Sequence, residues 1–274
     1  MKKIIAMLLA LSMILAFAGC SKKETPAATI ATAAPTAAPT EAPTEAATEA
    51  PTEVPTGAAE AEGTVMTHAE YVEAEMESNV VIETYVQAHQ SWWDNKITVY
   101  AQSEDGAYFL YNMECTQEAA DKLVPGTKIR VNGYKGEWSG EVEIMDATFE
   151  ILEGSYIAEA LDVTELLGKD ALIEHQNEKI KLTGLTVEEA NEDGAAFLYN
   201  WDGSGAAGNN NDLYFNVSDG TNTYTLTVES YLCGEDTDVY KTVTGLKVGD
   251  TIDVEGFLYW YNGAQPHVTS VTVK

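Results

Sequence analysis

The sequence predicts a mainly β protein with short helices, in which a small five-stranded barrel unit is written twice in tandem. Three observations carry this expectation. Alternating apolar and polar runs, punctuated by Asp-Gly and other glycine turns, fill the chain from Lys96 to Lys274. The order of those runs recurs after about 120 residues. Everything before about Gly63 differs in composition and has no such pattern.

The chain opens MKKIIAMLLALSMILAFAGCSKK. Lys2 and Lys3 form a positive n-region, Ile4 to Ala16 an apolar h-region, and Phe17-Ala18-Gly19-Cys20 a processing site. Small residues just before a cysteine resemble the lipobox of bacterial lipoproteins, in which Cys20 is acylated with chains such as palmitate and becomes the mature N-terminus. Phe17 stands where that pattern usually has Leu. The alternatives are an ordinary cleaved signal peptide or an uncleaved anchor, and the apolar stretch is short for a spanning helix. The expected location is the cell membrane, lipid-anchored, on its extracellular face.

Residues 1–19 are therefore read as the signal peptide and 20–63 as a disordered tether of Ala, Pro, Thr and Glu. Glu41, Glu45, Glu49 and Glu53 recur every fourth residue among Pro39, Pro43, Pro51 and Pro55. Such a segment has no apolar material for a core. Its prolines favour polyproline II, so that roughly 43 residues at about 3.1 Å each reach on the order of 130 Å.

Charge bounds the partners. The chain carries −29, and Thr67 to Lys274 alone holds 37 acidic and 11 basic residues. Phosphate backbones are bound through Lys and Arg, so this balance makes nucleic acid an unlikely partner. Cations, basic peptides and neutral glycans remain compatible. Beyond Cys20 there are only Cys115 and Cys233, either a single bridge or two free thiols.

The two units are 64–154 and 155–274. Each starts with a helical pattern: Thr67 to Glu70 and Asp162 to Glu165 both read as capping boxes. A long strand follows. Then KITVYAQSEDGAYFLYNMEC parallels DLYFNVSDGTNTYTLTVESYLC, each a hairpin ending in cysteine. TQEAADKL and EDTDVYKTV read as short helices, and both units close on a further hairpin, Leu123 to Leu152 and Leu246 to Lys274. A competing register aligns EDGAYFLYN with EDGAAFLYN, but it breaks this order of elements. Five strands with a helix between the third and fourth is the order of the OB-fold, a partly open Greek-key barrel. Together with the lipobox, SWWDN, GYKGEWSGEVEI, VESYLCG and GFLYWYNG resemble uncharacterised tandem OB-fold-like lipoproteins of Gram-positive, Clostridia-type gut bacteria. The resemblance implies fold and location and carries no activity.

OB-folds bind on the face of strands 2 and 3, flanked by the loops joining strands 1–2 and 4–5. Trp92, Trp93, Trp138, Trp201 and Trp260 all fall in or beside those loops, with Tyr134 and Tyr259 nearby. They are the candidate ligand-binding residues, because rigid aromatic surfaces suit sugars, bases and protein side chains. Lids over the barrel ends are the alternative role. In FLYWYNG, alternation puts Phe257, Tyr259 and Tyr261 on one face and Leu258 and Trp260 on the other.

No catalytic constellation emerges. The four histidines are scattered, no zinc spacing or nucleophile motif is present, and no cofactor is implied. Asp202, Asn209, Asn211 and Asp212 offer oxygen ligands but lack calcium-loop spacing, so no metal is assigned. The expected function is a non-enzymatic module binding an extracellular ligand, a neutral glycan or a peptide. The alternatives are a structural partner of another envelope protein and, less favoured, OB-type nucleic-acid binding.

Overall fold

A computed structural model describes residues 63–274, which fall within one compact unit. The signal peptide, the tether and Cys20 lie outside the described residues. Among the described residues, no helix is long and apolar enough to cross a membrane.

The first half starts with α1 (His68–Glu73), whose capping box forms as the sequence predicts: Thr67 Oγ1 accepts from Glu70 N, and the Glu70 carboxylate accepts from Thr67 N at 2.8 Å. Strands β1 (Asn79–His89), β2 (Lys96–Ser103), β3 (Gly106–Glu114), β4 (Thr127–Trp138) and β5 (Glu141–Ser155) follow, with α2 (Gln117–Ala120) between β3 and β4. They close into a barrel of order β1-β2-β3-β5-β4, in which β3 and β5 run parallel. Alternation selects the inside. Val80, Ile82, Ile97, Val99, Leu110, Ile129 and Ile144 fill it, and α2 with its following turn adds Ala120 and Leu123.

The second half repeats this path. After β6 (Leu161–Asp162) come β7 (Lys179–Glu188), β8 (Leu198–Tyr199), β9 (Leu213–Ser218), β10 (Thr223–Val228), α3 (Asp238–Val243), β11 (Thr251–Phe257) and β12 (His267–Val273). β7, β11, β12, β10 and β9 are hydrogen-bonded in that order, and a β7–β9 pairing through Val187 and Val217 closes the ring. The β10–β12 pair is parallel, matching β3–β5. Both halves are OB-like five-stranded barrels, and each hairpin falls where the preferred repeat register puts it. The competing register fails, because Glu192 to Asn200 is loop and the two-residue β8 where Glu104 to Asn112 is a hairpin.

One expected helix is different. Asp162 to His175 forms two 3-10 turns, Thr164–Leu166 and Asp170–His175, in place of an α-helix. The Asp162 carboxylate closes on Thr164 N and Oγ1 at 3.1 and 2.7 Å, not on Glu165. Gly168, at φ +71°, then turns the chain out of helical geometry.

The barrels pack on each other through an aromatic cluster of Tyr100 and Phe109 from β2–β3 and Phe257 from β11. Tyr100 stacks on Phe257 at 4.6 Å, and its hydroxyl meets His267 Nδ1 at 2.6 Å. Burial drives the His267 pKa down to about 3, so the imidazole is neutral there. Around the cluster, Ser91 N donates to Tyr231 O, Asn262 N to Ser139 O, and Gln176 Nε2 to Gly140 O. Glu141, at the tip of the β4–β5 hairpin, is fully buried and accepts from Trp260 N at 2.8 Å. Its Oε1 has no partner, and burial, partly offset by the Trp260 N–H, pushes its pKa up to about 9.

Two outcomes follow. Phe257→Ala should lower stability by about 3–5 kcal/mol, read from urea denaturation, since an aromatic ring leaves a packed cluster. Glu141 has a folded-state pKa above its usual 4.5, so its contribution is complete below about pH 4.5 and is lost as pH rises toward 9. Glu141→Gln should therefore gain stability relative to the parent chain between pH 5 and pH 8; an unchanged gap at the two pH values would contradict the buried, neutral carboxyl.

Candidate functional site

In β9, LYFNVS alternates: Leu213, Phe215 and Val217 enter the core, while Tyr214 and Asn216 face outward. In β10, Thr225 faces outward beside them and donates its hydroxyl to Asn216 Oδ1 at 2.8 Å. These residues form the floor of a cavity of about 800 Å³. The β7–β9 connection supplies one wall through Leu198, Trp201 and Asp212, and the β11–β12 connection another through Tyr259, Tyr261 and Gln265. The first barrel closes the remaining side with Phe109, Tyr111 and Trp138, and with Gln90 from its β1–β2 loop. β9 and β10 are the second and third strands of their ring. The cavity therefore occupies the strand face and flanking loops through which OB-folds take ligands.

The equivalent face of the first barrel is closed. Tyr100 and Phe109 on β2 and β3 are buried under Phe257 and Tyr259. One of the two strand faces that the repeat creates has become the joint between the barrels, and the other stays open.

The candidate residues separate accordingly. Trp138, Trp201 and Tyr259 come together at the cavity, the two tryptophans 61% and 75% exposed. Trp92 is a lid: it packs on the first barrel's core and its indole Nε1 donates to Cys115 O at 3.0 Å. Trp93 and Tyr134 are exposed but lie outside the cavity lining. Trp260 packs on the second core with its ring against Gly140, where a Cβ would sit 2.8 Å from Trp260 Cδ1. In FLYWYNG, Leu258 and Trp260 take the core face while Phe257, Tyr259 and Tyr261 take the outer one, as alternation predicts. Tyr111, Tyr214, Asp212 and Glu229 are cavity residues outside the candidate set. The period-2 pattern of β9 already singles out Tyr214.

Glu229 and Asp212 carry the cavity's acidity. Asp212 Oδ1 accepts from Ser230 N and Glu229 Oε2 from Leu232 N, each at 2.8 Å. Burial first, and the Asp212 charge second, push the Glu229 pKa up to about 7. Burial also pushes the Tyr214 phenol up to about 12 and raises that of Tyr259, whose ring stacks on neutral His267 at 4.1 Å. At neutral pH the tyrosine and histidine groups here are uncharged and the charge is carboxylate.

Among the described residues, no group of three or more His, Cys, Asp or Glu is placed to hold a metal. The Asp202–Asp212 loop already uses its oxygens in hydrogen bonds: Asp202 accepts from Ser204 N, Asn211 from Ala206 N and Asp212 from Ser230 N. Cys115 and Cys233 are free thiols, and burial pushes Cys233 up to about 11.

Fold and cavity together describe an OB-type binding protein. No protein-family model and no curated protein sequence matches the chain. Solved structures similar to it include a murine DNA-binding protein bound with double-stranded DNA (12% identity, 71% of this chain and 94% of that one, TM-score 0.30). The tetrameric p202 HIN2 is similar at 14% identity over 73% and 96% of the two chains, TM-score 0.30. A replication protein A heterotrimer bound to single-stranded DNA matches at 9% identity over 74% and 51%, TM-score 0.29. These neighbours overturn one expectation, that nucleic acid is an unlikely partner, since several are structures of proteins bound to DNA. The net charge of a whole chain does not decide what one aromatic strand face admits.

The site makes a simple optical prediction. Trp93, Trp138 and Trp201 are exposed, so acrylamide should quench them readily in the free protein, and the triple variant Trp93→Ala, Trp138→Ala, Trp201→Ala should remove most of the quenchable emission. Retention of that fraction in the triple variant would place the open tryptophans at Trp92 or Trp260.

Proposed function

We propose that the chain is a lipid-anchored, non-enzymatic binding module on the extracellular face of a cell membrane, holding a neutral glycan or a peptide in the cavity of its second barrel. The observation that carries this reading is the open cavity of about 800 Å³, walled by Trp138, Trp201, Tyr214, Tyr259 and Tyr261 on an OB ligand face. Aromatic planes with polar handles such as Asn216, Thr225 and Gln265 beside them suit flat, partly apolar ligands. The leader and tether support the location, because a lipidated Cys20 followed by a long extended segment lifts a domain off the bilayer. Single-stranded nucleic acid would use the same aromatic planes by base stacking and belongs in the same assay.

The test is tryptophan fluorescence of the full chain titrated with N-acetylchitooligosaccharides, wall fragments, short peptides and oligonucleotides. A saturable change with a glycan or peptide is expected, and Trp201→Ala should weaken it about tenfold or more while Trp93→Ala leaves it unchanged. Saturation by oligonucleotides alone would replace the glycan or peptide ligand with a nucleic acid.

A further inference from the structure

We propose that the cavity of the second barrel takes the cationic side chain of a basic peptide, lysine or arginine, between its aromatic walls and the carboxylates of Asp212 and Glu229. The inference rests on the binding reading above and narrows it to one ligand class.

Two independent observations converge. The first is the aromatic wall: six side chains, Tyr111, Trp138, Trp201, Tyr214, Tyr259 and Tyr261, come from both barrels, from three strands and two connections. Ring faces carry negative quadrupole charge and attract ammonium and guanidinium groups, the more so when water is excluded. The second is the charge of the lining, which contains Asp212 and Glu229 and neither Lys nor Arg. A neutral sugar or a neutral side chain needs no such one-sided arrangement. A guanidinium uses both halves of it, stacking on a ring and pairing with a carboxylate through its planar fork.

Burial first, and Glu141, Glu143, Tyr111 and Tyr214 after it, raise the Tyr259 phenol and keep it neutral. Asp212, just before β9, acts on Glu229, and Glu229 in turn acts on Tyr100 of β2, Tyr214 of β9 and Cys233 in the turn after β10. The two phenols and the thiol are held neutral by burial, so Asp212 is the charged neighbour. Two carboxylates side by side repel, and a bound cation relieves that repulsion. Binding should therefore draw Glu229 into its ionised form and strengthen as pH rises through about 7. The chain as a whole, at −29, also draws cationic ligands toward its surface.

The experiment uses the full chain and four probes: acetylated, amidated glycine tripeptides with lysine, arginine or norleucine in the middle, and N-acetylchitotriose. Binding is read by tryptophan fluorescence at pH 6 and pH 8. The lysine and arginine peptides are expected to bind at least tenfold more tightly than the norleucine peptide, more tightly at pH 8, and with the advantage reduced in Glu229→Gln. Trp201→Ala, at a residue 75% exposed, serves as the variant that leaves the fold intact and should weaken the cationic peptides. Equal or tighter binding of the norleucine peptide or of N-acetylchitotriose would overturn the cationic assignment and leave the binding module standing. No response to any probe would overturn both.

Discussion

The two barrels are joined by the ring of Tyr100 on that of Phe257, and most of what is distinctive in the molecule depends on that contact. It covers the outer face of β2 and β3, which would otherwise be a second open strand face. It also sets the first barrel's edge against the second barrel's strand face, so that Tyr111 and Trp138 become a wall of the other barrel's cavity. A single β9–β10 surface would be a shallow platform. Enclosed by a neighbour, it becomes a cavity of about 800 Å³.

The joint is polar as well as aromatic, and its polar members are neutral by construction. His267 is buried against the Tyr100 hydroxyl and deprotonated, and Glu141 is buried on the Trp260 amide and protonated at ordinary pH. Burying either charge would cost far more than one hydrogen bond returns, so each group gives up its charge. Backbone bonds such as Ser91 N to Tyr231 O fix the relative placement of the surfaces, and among the described residues no ion pair spans the joint.

Much of the fold was legible in the chain because local signals agreed with one another. Alternation defined the hairpins, the Thr67–Glu70 spacing defined α1, and the repeat placed α2 and α3 between third and fourth strands. Asp162–Glu165 has the same spacing and failed, because the cap's side chain found Thr164 nearer and Gly168 offered an exit from helical geometry. The site was half legible. Aromatic residues near the right loops pointed to Trp138, Trp201 and Tyr259, but Trp92 is indistinguishable from them by sequence, since its lid role depends on the Cys115 carbonyl in a different loop. Glu229 was invisible for a related reason: among so many acidic residues, only burial beside Asp212 separates it from solvated ones.

The repeat explains why one copy serves the other. The β1–β2 connection is short, running from Gln90 to Asn95, and the strand face beside it is covered by Phe257 and Tyr259. The β7–β9 connection is long, from Glu189 to Asp212, and brings Leu198, the exposed Trp201 and Asp212 to the cavity. Conversely β4 and β5, at 12 and 15 residues, are longer than their counterparts of 7 and 7, so their hairpin reaches past its own barrel to deliver Trp138 and Glu141 to the other. Differences in loop and strand length between two copies of one fold thus divide the labour. The first barrel, whose ligand face is covered, acts as a wall, and the second, whose face is open, holds the cavity.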